Sequence, residues 1–110
     1  MENRKDPVPL ISVVIPVYNR PQMLDAAVRS VLDQSFADFE LIVVDDGSEP
    51  PVDGRRWGDL RVRVIRAEHT GMPGAARNRG IREAAGRYLA FLDSDDRLMP
   101  EKLELQLPVL

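Results

Sequence analysis

The chain has 110 residues, with 15 Lys+Arg against 18 Asp+Glu for a net charge of −3, and 44% of it is hydrophobic. A length of this order supports one core, burying roughly 60–70% of the unfolded surface, which implies a single domain over residues 1–110 and excludes a two-domain enzyme. The absence of cysteine and the presence of a single histidine, His69, exclude a disulfide scaffold, a thiolate zinc site, a cysteine nucleophile and a multi-histidine metal site, and fit a reducing, cytoplasmic setting.

Ile11 to Ile15 is a nearly continuous apolar run rich in β-branched residues and closed by Pro16, the pattern of a strand buried on both faces. Asn19 is placed to cap a helix, Pro21 falls in its first turn, and Leu24, Ala27, Val28 and Val31 follow at helical spacing, with an end expected near Gln34. Phe39 to Val44 is a second buried strand, cut off by Asp45-Asp46-Gly47-Ser48. Gly54 to Leu60 reads as one irregular helical turn, and Val62 to Ile65 alternates as an edge strand does. A helix begins near Gly74, with Ala76, Ile81, Ala84 and Ala85 on one side and the pairs Arg79–Glu83 and Glu83–Arg87 on the other, and stops near Gly86. Tyr88 to Leu92 is the fourth strand, and Pro100 and Glu101 open a last helix. Strand and helix alternate throughout, so the fold class is a layered α/β domain with a mainly parallel sheet.

No apolar run approaches the roughly 18 residues of a membrane span, and the N-terminus is too polar for a signal peptide. The mild acidic balance gives no general attraction to nucleic acid, and the arginines at 77, 79, 82 and 87 make any basic surface local. For Arg79, Arg82 and Arg87 the spacing with Glu83 indicates a solvated helix face.

Four polar segments follow the carboxyl ends of strands: Pro16-Val17-Tyr18-Asn19, Asp45-Asp46-Gly47-Ser48, His69-Thr70-Gly71 and Asp93-Ser94-Asp95-Asp96. In a parallel sheet those ends share one edge, where open α/β sheets bind ligands. Asp93, Asp95 and Asp96 repel one another unless something positive offsets them, and hard carboxylate oxygens suit Mg²⁺ or Mn²⁺ bridging to a diphosphate. An isolated Asp-x-Asp is an Asx turn or a helix N-cap; after a buried strand and opposite a second acidic loop, the metal reading is preferred. An EF-hand loop starting at Asp93 fails, because Leu98 stands where glycine is needed. Asp45 to Ser48 reads equally as a strand-ending turn or as a carboxylate accepting from a nucleobase imide or a ribose. Tyr18 offers a face for base stacking, against the plainer alternative of half-buried packing. Gly71 to Asn78 sets glycines and an arginine, Arg77, at a helix start suited to an anion. His69 is expected to be a loop residue bonded to backbone rather than a catalytic base.

Val14-Ile15-Pro16-Val17-Tyr18-Asn19, Val43-Val44-Asp45-Asp46-Gly47-Ser48, Gly74-Ala75-Ala76-Arg77-Asn78 and Asp93-Ser94-Asp95-Asp96, in this order, resemble the family 2 glycosyltransferases of GT-A fold, from about Leu10 to Leu107. The resemblance implies a Rossmann-like α/β/α domain that binds a nucleotide-sugar donor, usually a UDP-sugar. It places Pro16 and Tyr18 beside the base, Asp46 accepting from the uracil, Arg77 near the nucleotide and Asp95 at the ribose or sugar. It assigns Mn²⁺ or Mg²⁺ to Asp96, with Asp93 or Asp95 as further ligands. The implied chemistry is inverting displacement at the anomeric carbon, with a carboxylate deprotonating the hydroxyl of a saccharide or lipid-linked acceptor. Full members continue into an acceptor-binding half that supplies the general base, so the sequence reads as a donor-binding half, truncated after the Asp93–Asp96 region and inactive alone, with no catalytic residue before Leu110. The resemblance also allows membrane association of the full-length protein, although no span is read in this chain.

A non-catalytic nucleotide- or metal-binding module is the rival reading. A phosphoacceptor receiver needs an acidic pair after the first strand, where this chain has Pro16 and Tyr18, and a nucleotidyltransferase needs a glycine-rich start there.

Overall fold

The computed structural model describes residues 9–34 and 37–92. Four strands, β1 (Ile11–Val17), β2 (Phe39–Asp45), β3 (Val62–Arg66) and β4 (Tyr88–Phe91), form one sheet in the order β3-β2-β1-β4. Every pairing is parallel, with Ile11 opposite both Phe39 and Tyr88, and Leu41 opposite Val62. Helix α1 (Pro21–Leu32) links β1 to β2, a 3₁₀ turn (Gly54–Trp57) precedes β3, and α2 (Pro73–Glu83) carries the chain from β3 to β4.

The two-residue period of the strands divides the core. Ile11, Val13, Ile15 and Val17 of β1, with Phe39, Leu41 and Val43 of β2, pack against Leu24, Ala27, Val28 and Val31 of α1. Val14, Ile42 and Val44 point to the opposite face and meet Ala76 of α2. The result is the expected α/β/α layering, with β1 and β2 buried on both sides.

Three local expectations change. The residue capping α1 is Arg20 and it makes no side-chain cap bond; Asn19 instead takes φ +52° and ties the β1 loop to the β2 loop. Its amide donates to Ser48 Oγ at 2.9 Å, and its own Oδ1 accepts from the Glu49 amide at 2.8 Å. Ile81 and Ala85 are exposed, because the contact residue of α2 is Gly80: a Cβ there would stand 2.4 Å from Val14 Cγ1. Helix α2 ends at Glu83, short of Gly86, because the Ala85 and Gly86 amides donate to Glu40 Oε2 (2.7 Å) and Ser12 Oγ (2.8 Å) across the sheet. Glu83 accordingly meets Arg63 of β3 at 3.3 Å as well as Arg79, rather than Arg87. The helix expected from Pro100 and Glu101 lies outside the described residues.

Candidate functional site

The order β3-β2-β1-β4 makes β1 the point from which the chain moves first to one side and then to the other. A ligand crevice is expected beyond the carboxyl ends of the strands at such a reversal. The loops after β1, β2 and β3 do meet there.

Asp45, the last residue of β2, is fully buried. Its Oδ1 accepts from the Ser48 amide at 2.8 Å, and its Oδ2 accepts from the Val52 amide at 3.0 Å and from Arg66 Nη1 at 3.0 Å. Arg66 also donates to the Ser48 carbonyl at 2.8 Å. Asp45 is thus the strut of the turn. Gly47 completes it at φ +83°, and a Cβ there would lie 2.8 Å from His69 Cβ and 2.9 Å from His69 N, so glycine alone permits the β2 and β3 loops to touch.

Asp46 turns the other way. Its Oδ1 accepts from the Thr70 amide at 3.0 Å, and its Oδ2 lies 3.1 Å from His69 Nδ1. Longer approaches come from the Gly71 amide to Oδ2 at 3.3 Å and from Thr70 Oγ1 to Oδ1 at 3.4 Å. His69 Nδ1 is also 3.0 Å from the Asp46 carbonyl oxygen, the backbone bond expected of it, and its ring stacks on Tyr18 with centroids 3.9 Å apart at 20°. Tyr18 remains 42% exposed. Three residues on three loops therefore form one continuous unit: a phenol ring, an imidazole and a carboxylate.

Pro16 sits at the end of β1 opposite Val44. Because the Val14 carbonyl accepts from Leu92 and the Val17 carbonyl from Asp46, the Pro16 nitrogen faces the β4 side, past the Val14–Phe91 pairing, so its missing N–H breaks no bond to β2. Arg77 is exposed in α2, just beyond the loop whose amides hold Asp46. The N-cap of α2, Met72, supplies no side-chain acceptor. Beside it an open depression of about 450 Å³ is lined by Asp46, Glu68, Thr70, Arg66, Arg79 and Arg82 among others, three arginines against two carboxylates.

Asp93, Asp95 and Asp96 lie outside the described residues. Among the described residues no group of three or more His, Cys, Asp or Glu side chains is placed to hold a metal, and Asp45 and Asp46 are engaged by the donors above. The Asp93–Asp96 run, expected from sequence to hold Mg²⁺ or Mn²⁺, offers oxygen donors of the kind hard divalent cations take. Sequence reasoning placed Thr70 only within the His69–Gly71 segment, without a role, and missed the Asp45–Arg66 pair, whose members end two neighbouring strands.

Comparison with known proteins agrees with this fold. The family described as Glycosyl transferase family 2 matches residues 12–110. The putative teichuronic acid biosynthesis glycosyltransferase TuaG of Bacillus subtilis is 43% identical over 106 residues, covering 90% of this chain and 41% of that protein. The UDP-Glc:alpha-D-GlcNAc-diphosphoundecaprenol beta-1,3-glucosyltransferase WfgD of Escherichia coli is 36% identical over 103 residues, covering 92% of this chain and 41% of that protein. Among solved structures, S. aureus TarS 1-349 in complex with UDP-GlcNAc superimposes with a TM-score of 0.79 at 30% identity, over 90% of this chain and 30% of that one. The mannosyltransferase PcManGT from Pyrobaculum calidifontis, in complex with GDP-Man and Mn²⁺, gives 0.74 at 26% identity, over 92% and 31%. The chain thus spans well under half the length of these relatives. No helix among the described residues is long and apolar enough to cross a membrane.

Proposed function

The chain belongs to glycosyl transferase family 2 and has the layered α/β fold of its GT-A relatives, and on that premise we propose that it carries the donor site for a UDP-sugar at the carboxyl edge of the sheet. The observation that carries this reading is the contact of Tyr18, His69 and Asp46 at the strand-order reversal, with Arg77 on the adjoining helix. Tyr18 and Pro16 flank the base, Asp46 accepts from the uracil imide, and Arg77 meets the nucleotide. Asp95 serves the ribose or sugar, and Asp96, with Asp93 or Asp95, holds Mn²⁺ or Mg²⁺. The ion, when bound, offsets the negative charge of the departing diphosphate. In the whole protein the sugar passes with inversion to a hydroxyl of a saccharide or lipid-linked acceptor, deprotonated by a carboxylate outside these residues, at the cytoplasmic side. The TarS complex with UDP-GlcNAc supports the UDP-sugar donor, the PcManGT complex with GDP-Man and Mn²⁺ supports the divalent ion, and the name of WfgD supports a lipid-linked acceptor.

Calorimetric titration with UDP and CDP, in Mn²⁺ and in chelator, tests the reading. A hydrogen bond to a charged acceptor is worth about 1.5–3 kcal/mol, so Asp46→Ala weakens UDP binding roughly ten- to a hundredfold. CDP suffers less, because cytosine presents a bare N3 to the carboxylate. A folded Asp46→Ala variant with unchanged preference between UDP and CDP refutes the base assignment. Equal UDP affinity in chelator and Mn²⁺, for both wild type and Asp96→Asn, refutes the metal assignment.

A further inference from the structure

We propose that His69 is the positioning residue of the nucleobase site: it fixes the plane of the Asp46 carboxylate through Nδ1 and the plane of Tyr18 through its ring. The inference rests on the donor-site reading above.

The terminal torsion of an aspartate is soft, with a broad two-fold profile, so one bonded oxygen does not orient a carboxylate. Asp46 has one short bond to each oxygen: the Thr70 amide holds Oδ1 at 3.0 Å, and His69 Nδ1 holds Oδ2 at 3.1 Å. The other two approaches are 3.3 and 3.4 Å and constrain little. Removing the imidazole bond therefore removes one of two anchors. It does so at a group whose orientation decides whether a base offers it a donor or an acceptor.

The proton on His69 follows from its neighbours. Nδ1 faces two acceptors, the Asp46 carbonyl oxygen at 3.0 Å and Oδ2 at 3.1 Å, so Nδ1 carries a hydrogen. The ring then has one orientation in which both the bond and the stack are made. Tyr18 is held by that stack, at 3.9 Å, and a ring held in place loses less freedom when a base packs on it. The His69 backbone lies close against Gly47, where a Cβ would stand 2.9 Å from its nitrogen, so ring and carboxylate already meet in the ligand-free protein.

The two tasks of His69 separate by substitution. Asn carries an amide nitrogen where His carries Nδ1, so His69→Asn keeps a donor to Asp46 and loses the ring. His69→Phe does the reverse. Titration with UDP and CDP in Mn²⁺ is expected to show His69→Asn binding both nucleotides about two- to tenfold more weakly with an unchanged preference. His69→Phe is expected to narrow the preference for UDP about three- to tenfold while CDP affinity holds. A merely structural histidine gives equal losses in both variants and both ligands, and that result, or two variants indistinguishable from wild type, overturns the proposal. Imidazole ¹⁵N shifts of the ligand-free protein supply an independent readout: an Nδ1–H tautomer is expected, and an Nε2–H tautomer overturns the positioning role whether or not UDP binds. Failure of the wild type to bind either nucleotide removes the donor-site reading, and this inference with it.

Discussion

Replacing Asp45 and Asp46 one at a time should separate stability from ligand binding at two adjacent carboxylates. Asp45 is fully buried and accepts from the Ser48 and Val52 amides and from Arg66. Asp45→Ala leaves the Ser48 amide, in a residue only 4% exposed, without a partner and out of reach of water. A buried unsatisfied donor costs about 1–3 kcal/mol. The Val52 amide is half-buried, and Arg66, 42% exposed at its side chain, can rehydrate, so together these add about 1 kcal/mol at most. The total, about 1–4 kcal/mol, corresponds to a fall in thermal midpoint of roughly 5–20 °C for a domain of this size. Asp45→Asn should lose nearly as much, since its amide would set a donor against Val52 N and Arg66 Nη1. Asp46→Ala behaves differently, because the Thr70 and Gly71 amides it releases belong to exposed loop residues that water reaches. About 1 kcal/mol is expected there, with the larger effect on UDP affinity. Thermal melts followed by circular dichroism, with urea titrations to confirm an unchanged m-value, measure both. An Asp45→Ala midpoint close to wild type, or an equal fall in Asp46→Ala, refutes the division of roles.

Gly47→Ala combines a φ of +83° with a Cβ 2.8 Å from that of His69, and is expected to cost about 2–4 kcal/mol in urea titration, whereas Gly58→Ala, at φ +61° with nothing within 4 Å, should cost about 1 kcal/mol; equal losses would show that the His69 contact gives way freely. Acid should unfold the protein more readily below about pH 4: hydrogen bonds from Arg29, Arg55 and Arg61 hold the Asp25, Asp53 and Asp59 carboxyls below their ordinary value of 3.8, Asp53 at about 2. Folded values below unfolded ones mean that this stability is complete above the unfolded value and is lost as pH falls through the folded ones, and a thermal midpoint flat from pH 5 to pH 2 would contradict it.

The layering was legible in sequence because its determinants are local. The β-branched run of β1 and β2 and the 3.6-residue spacing of Leu24, Ala27, Val28 and Val31 read directly as buried strand and amphipathic helix. Helix α2 was read less well. Its apolar residues suggested a face through Ile81, but the tight contact is made by Gly80, which has no side chain for a hydrophobic pattern to register. Its end was misplaced because the bonds that stop it come from Ser12 and Glu40, far away in sequence. At the site, the strand-ending loops identified where chemistry gathers, and Tyr18 and Asp46 were visible as candidates, His69 only as a backbone-bonded loop residue. Their union was not, since it depends on the β2 and β3 loops touching at Gly47, a contact without any periodicity. Asn19 shows the same limit: a good N-cap by type is used between loops because its φ is +52°.

The same long-range bonds settle where α2 stands, and so where Arg77 stands relative to the proposed base site. A helix lying on a sheet can slide along its axis unless something fixes both depth and position. Depth is fixed by Gly80, whose missing Cβ lets the backbone approach Val14 and Val44. Position is fixed at the carboxyl end, where Glu40 and Ser12 take the Ala85 and Gly86 amides and Arg63 takes the Glu83 carbonyl at 2.7 Å. At the amino end the loop before α2 is held by Asp46 through the Thr70 amide. Asp46 thus acts at two ends of one arrangement: it faces the proposed base and anchors the segment that presents Arg77. A change that removes its carboxylate, and with it the Thr70 anchor, is therefore expected to be felt along the proposed nucleotide as well as at the base, which is why the preference between UDP and CDP, rather than UDP affinity alone, isolates the contact with the base.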